Sequence, residues 1–201
     1  MESRNRGQIE KKIAPTPMYV QRVDDERIPK MNHPCGYDLL IGDWVKPYGQ
    51  GQVSDFIINI EFYINNNKKS KNQYGSLEPI YDKKLTITFS NPNDGIQKVT
   101  IKKEKKTGYR SIIKCPFKFI YEAPLDGYKN IFTKHDFFDG KKEIRTYDNN
   151  ANYVFRIRTK TNKKGKIISA LYGKIYGQIE HGKYIQFTYY VNPTPNSRSM
   201  E

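Results

Sequence analysis

The sequence predicts an all-β fold, an antiparallel β-sandwich or jelly-roll-like domain with little or no helix, and three observations carry that prediction. Apolar and polar residues alternate with period two over much of the chain after residue 36. Turn residues recur mostly every 8 to 15 positions, the spacing that sandwiches and barrels produce. No window of eleven or more residues shows a 3.6-residue period that outcompetes the alternation.

Residues 1–36 are polar and punctuated by Pro15, Pro17, Pro29 and Pro34, and beyond a short strand at Met18 to Val23 they read as an arm or tether. Residues 37–201 read as a single β-sandwich domain, because no Pro/Gly/Ser-rich linker divides them. The clearest strand is Asp55 to Ile64, with Phe56, Ile58, Ile60, Phe62 and Ile64 on one face and Asp55, Asn59 and Glu61 on the other. Asn65 to Asn72 reads as a polar loop, Leu85 to Phe89 alternates again, and Asn91-Pro92-Asn93-Asp94-Gly95 turns the chain. Val99–Lys103 and Tyr109–Lys114 flank Glu104-Lys105-Lys106-Thr107-Gly108 as a hairpin, and strands at Phe117–Glu122 and Lys129–His135 follow. The last stretch is the most regular. Tyr153–Lys160, Lys166–Tyr172, Lys174–Glu180 and Tyr184–Val191 are strands separated by Asn162 to Gly165, by Gly173 and by His181-Gly182.

The net charge of +14 is the strongest bulk property, and it is unevenly placed. Residues 1–97 hold 13 Lys/Arg against 12 Asp/Glu, whereas residues 98–201 hold 22 against 9. A polyanion surface would concentrate charge in this way. Solvated lysines on exposed strand faces, in a chain rich in residues with AT-rich codons, give the competing explanation. No segment approaches the roughly 20 apolar residues of a membrane span, and MESRNRGQIEKK has no apolar run of signal-peptide type, so a native start here implies a cytoplasmic chain. Cys35 and Cys115 fit no metal spacing; they read as two buried thiols, or as a disulfide if the protein is exported.

Catalytic chemistry finds little to stand on. There is no Gly-x-Ser-x-Gly, no phosphate-cradling glycine loop and no His-Glu-x-x-His. His135-Asp136 with Asp139, and His33 near Cys35, supply at most two metal ligands at a time. Glu61, Glu78 and Asp82 are the carboxylates a glycosidase could pair. No catalytic residue, metal site or cofactor is therefore assigned.

Binding residues are easier to nominate. Trp44 and Tyr48, on the glycine-rich Ile41–Gly49 loop, are a candidate platform for stacking a sugar, with a buried Trp as the structural reading. Arg156 and Arg158 share a strand face with Val154 and Lys160, a row of cations that could take acidic glycan or nucleic-acid phosphate, or simply keep a sheet face soluble. Tyr172-Gly173-Lys174-Ile175-Tyr176-Gly177 brackets Lys174 with tyrosines and glycines. It marks either a backbone approached by a ligand or a strand that bends.

The strings Asn152-x-Tyr-x-Phe-Arg-x-Arg-Thr159, Ser169-Ala-Leu-Tyr-Gly-Lys-Ile-Tyr-Gly177 and Tyr189-Tyr-Val-Asn-Pro-Thr-Pro-Asn196 with Arg198 resemble the C-terminal signature of a family of exported bacterial proteins, often lipoproteins. The resemblance covers about residues 150–201 and implies a β-rich fold and an extracytoplasmic, periplasmic or cell-surface location, with no activity to transfer. With the residues above it leads to the expectation of a non-catalytic exported module that binds a glycan or acidic cell-envelope polymer. The alternatives are a nucleic-acid binder using the basic half and a structural or assembly protein that docks on a partner in the cell envelope.

Overall fold

Two antiparallel sheets pack face to face in the computed structural model, which describes residues 19–100, 119–148 and 150–200, with the backbone alone for 19–27. The strands are β1 (Tyr19–Arg27), β2 (Cys35–Asp38), β3 (Asp43–Trp44), β4 (Phe56–Lys71), β5 (Leu77–Thr88), β6 (Gly95–Lys98), β7 (Ile131–Phe138), β8 (Glu143–Ile144), β9 (Asn152–Thr161), β10 (Ile167–His181) and β11 (Tyr184–Asn192). Sheet A runs β1-β11-β10-β9-β6 and sheet B runs β3-β2-β4-β5-β7-β8. There is no helix among the described residues, and so none that is long and apolar enough to cross a membrane. The all-β sandwich read from the sequence is the fold observed.

The period-two alternation builds the core directly. Phe56, Ile58 and Ile60 of β4 and Leu85 and Ile87 of β5 face Phe155 and Ile157 of β9 and Ile185, Phe187, Tyr189 and Val191 of β11. The Phe56 ring meets Phe155 and Phe187 across the sandwich, with centroids 5.4 and 6.2 Å apart. Each such fully buried side chain contributes roughly 1.5–3 kcal/mol. A second apolar cluster lies on the outer face of sheet A, where Val154, Ala170 and Tyr172 are covered by Phe119, Ala123 and Met200. The two covering segments are tied to each other by Ala123 N to Arg198 O (2.8 Å) and Met200 N to Tyr121 O (2.9 Å).

Several expectations change. Asn65–Lys71 is not a loop: β4 continues through it with a register shift between Asn65 and Lys69, and the turn falls at Asn72–Ser76, where the Asn72 carboxamide accepts from the amides of Tyr74 and Ser76. Gly173 separates nothing. β10 runs unbroken past it because the absent Cβ leaves room for the Phe155 ring, whose Cζ would stand 2.2 Å from a methyl there. Phe119–Glu122 is irregular chain with a single bridge, Glu122 to Ser199, because it caps the outer cluster and does not extend a sheet. The hairpin expected between Val99 and Lys114, the Phe117 end of the next strand, and Cys115 lie wholly or largely outside the described residues. Cys35 is a buried free thiol. In the segment read as an arm, β1 pairs along the whole of β11, and Ile28 and Cys35 enter the core.

Candidate functional site

The loop around Trp44 is organised by two aspartates. The Asp38 carboxylate accepts the amides of Leu40, Ile41, Gln52 and Val53, and Asp43 accepts those of Trp44 and Gln50. That wrapping turns Trp44 inward. Its residue is 4% exposed, and the ring stands edge-on to Tyr37 with centroids 5.1 Å apart. Tyr48 stays 41% exposed. The two rings therefore form no shared platform, since stacking a sugar requires an accessible indole face.

The expected cation row is also taken apart by backbone geometry. Register shifts between β9 and β10 and a left-handed Arg158 (φ 53°) rotate that residue toward the opposite sheet. Arg158 Nε and Nη2 donate to Asp55 Oδ1 and Oδ2 at 2.8 and 2.9 Å, and Nη2 also reaches Asp38 Oδ1 at 2.8 Å. Arg156 lies on the outer face. It donates to the carbonyls of Asn93 and Leu125 and stacks 4.6 Å over the Tyr128 ring. Lys174 is buried between the rings of Phe119 and Tyr190, 5.3 and 5.2 Å from their centroids, and donates to the Met200 carbonyl. Tyr172 is buried in the same outer cluster, and Tyr176 packs at its margin. Further C-terminal cations are engaged as well: Lys98 with Asp148, Arg145 with Glu78 and Glu143, Arg198 with Glu122. Among the described residues, Lys98, Arg145, Arg156, Arg158, Lys174 and Arg198 are thus engaged within the fold.

The carboxylates considered for glycoside hydrolysis are each paired: Glu61 with Lys84, Glu78 with Arg145, and Asp82 with His135 at 2.8 Å. Asp139 accepts the amides of Lys141 and Lys142 and so caps a turn.

A cleft of about 330 Å³ opens between β4 and β5 of one sheet and the β10–β11 turn of the other. Phe62 and Ile64 of β4 and Tyr81 and Lys83 of β5 form one wall. Glu180 and His181 at the end of β10, Gly182 and Lys183 in the turn, and Tyr184 and Gln186 of β11 form the other. The β10–β11 register shifts between Tyr176 and Glu180, beside Gly177 at φ 86°, and this irregularity sets how the hairpin end meets the opposite sheet.

The inner face of β5 reads Tyr81, Lys83, Leu85, Ile87, and in-register β7 places Phe138, Asp136, Lys134 and Phe132 beside them. Polar side chains thereby enter the inter-sheet space at the cleft. Lys83 Nζ is 3.7 Å from Asp136 Oδ2 and 5.0 Å from the Tyr81 ring centroid. Asp136 Oδ1 accepts from the Thr146 amide and hydroxyl at 2.7 and 2.6 Å. Burial alone would raise that carboxyl, but the Thr146 donors, with His181 and Lys83, hold it below the usual carboxylate range. His181 Nε2 is 3.3 Å from the Lys83 carbonyl and 3.9 Å from Asp136 Oδ2, and burial pushes the imidazole below its ordinary value. Lys134, behind them, donates to Ile179 O at 2.8 Å and Gln178 Oε1 at 3.0 Å; burial lowers it too. Perturbed groups converging on a cleft are a physical mark of a functional site.

The sequence reading nominated none of the cleft residues. Its available signal was Lys83 on the apolar register of β5, with Lys134 and Asp136 on that of β7: charges on a core face. No protein-family model, curated protein or solved structure matches this chain.

Proposed function

We propose that the chain is a non-catalytic binding module that holds a unit of a glycan or acidic cell-envelope polymer in its inter-sheet cleft. The observation that carries this reading is the mixed lining of one opening: the rings of Phe62, Tyr81 and Tyr184 beside the ammonium groups of Lys83 and Lys183 and the carboxamide of Gln186. Sugars present an apolar ring face bordered by hydroxyls, and such a lining offers surface to the first and polar groups to the second. The engagement of Glu61 by Lys84, Glu78 by Arg145 and Asp82 by the His135 ring favours binding over hydrolysis. The resemblance of residues 150–201 to exported bacterial proteins supports an extracytoplasmic location, where such a polymer is met.

Titrating the full chain with neutral and acidic oligosaccharides, followed by amide chemical shifts, tests this. Shifts should cluster at Phe62, Tyr81, Lys83 and Tyr184. Tyr184→Ala should weaken binding about ten-fold with the fold unchanged, since a rim ring supplies roughly 1–3 kcal/mol. Shifts elsewhere, or binding indifferent to Tyr184→Ala, would overturn the reading.

Nucleic-acid binding keeps one specific support, the exposed Lys160, Lys163, Lys164 and Lys166 of the β9–β10 hairpin. Binding through that hairpin would weaken steeply with salt through counterion release, and its alanine variants would abolish it.

A further inference from the structure

We propose that the sugar unit in the cleft carries a carboxylate, and that this carboxylate takes its hydrogen bonds from the Lys83 ammonium. The inference rests on the glycan-binding reading and adds the ligand's chemical class and its anchor.

The Lys83 side chain is only 26% exposed, yet its Nζ makes no hydrogen bond to any described residue. The Asp136 oxygen facing it stands at 3.7 Å, beyond hydrogen-bond reach, while the other oxygen of that carboxylate is saturated by Thr146. That ammonium is held loosely, by the Asp136 carboxylate and the Tyr81 ring, so its donors are open to an acceptor entering the cleft, and an ionised acceptor makes the strongest such bond.

Cations outnumber acids among the side chains that line the cleft, Lys83 and Lys183 against Glu180. Lys134 already spends its donors on Ile179 O and Gln178, and Lys183 is exposed in the turn, so Lys83 is the cation placed to meet an anion inside the cleft. The Tyr81 ring lies 5.0 Å from that ammonium and Tyr184 lines the same cleft, which suits a pyranose whose carboxylate projects from the ring edge.

The test is calorimetric titration of the full chain with an oligogalacturonate, with its methyl ester of the same shape and no charge, and with a sulfated galactan oligomer. The acid should bind about ten-fold or more tighter than the ester, the size of one charge-assisted hydrogen bond. Lys83→Met, checked for an unchanged unfolding midpoint, should bring the acid down to the ester's affinity. Lys183→Met should keep most of the preference, and Tyr184→Ala should weaken acid and ester together. Equal binding of acid and ester, preference for the sulfated oligomer, or a Lys83→Met variant that still discriminates would overturn the carboxylate assignment. Equal binding that still falls with Tyr184→Ala would do so while sparing the binding module. Binding of none of the three would remove both.

Discussion

Arg158 grips Asp55 at two points, Nε to Oδ1 and Nη2 to Oδ2 at 2.8 and 2.9 Å, and so joins β9 of one sheet to the entrance of β4 in the other. Both Asp55 and Asp38 are buried, and removing the guanidinium leaves Asp55 with the Leu39 amide while Asp38 keeps its four amide donors, so the Asp55 carboxylate bears the loss. Arg158→Met should cost about 3–5 kcal/mol in urea unfolding. Arg158→Lys should recover little of it, because one ammonium cannot make two parallel bonds. A loss under about 1 kcal/mol for the methionine variant would mean the pair is no latch.

Gly173 in β10 and Gly182 in the turn that follows it should respond differently to a methyl group. At Gly173 an added Cβ would meet Phe155 Cζ at 2.2 Å and the Tyr190 carbonyl oxygen at 2.5 Å, so Gly173→Ala should destabilise by about 1–3 kcal/mol. At Gly182 the nearest neighbours, on Phe62 and Lys83, stand at 3.7 and 3.8 Å, and Gly182→Ala should stay within about 0.5 kcal/mol of the parent. Thermal unfolding of the two variants side by side checks the contrast.

His181 should make stability fall with acid. Its burial lowers the folded pKa, an effect that Lys134 and Lys83 support and Asp136 opposes. In the unfolded chain the ring titrates near 6.5, so below about that pH the unfolded state takes up a proton that the folded state resists. The histidine's contribution is thus complete above pH 6.5 and is lost as pH falls toward the folded value. Urea midpoints should drop between pH 7 and 5.5, and His181→Gln should flatten that limb; an unchanged slope would contradict the burial argument.

Trp44, the single tryptophan, should report a dry environment. Its emission should be blue-shifted and poorly quenched by iodide, and it should hold steady when a ligand enters the cleft. Trp44→Ala should cost about 3–5 kcal/mol. A large emission change on sugar binding would restore the stacking role that its burial removes.

The fold was legible because strand alternation is a local signal. Phe56, Ile58 and Ile60, and Ile185, Phe187, Tyr189 and Val191, lie in the core just as period two requires, while Phe62 and Ile64 at the far end of the first run line the cleft. The surroundings of Trp44 and Arg158 were not legible because they depend on neighbours far along the chain. Trp44 is turned in by an Asp38 carboxylate whose other partners lie fourteen and fifteen residues on, and Arg158 is turned by its left-handed backbone toward an acid 103 residues away. The cleft was hidden for a related reason. Lys83 is one charge on an otherwise apolar face, and its meaning appears only when register brings Asp136 beside it and the β10–β11 turn opposite.

The pairing of β1 with β11 bears on how this protein can be handled. Cutting after residue 36, where the composition invites a boundary, would strip Tyr19–Arg27 from β11 and bare a row of backbone donors and acceptors from Tyr184 to Val191. That strand carries three tyrosines, and its inner face is wholly apolar. An open edge of this kind recruits other copies, so the shortened chain should aggregate with concentration while the full chain stays monodisperse. The polar leader would then be valued less as a tether than as a guard against clumping.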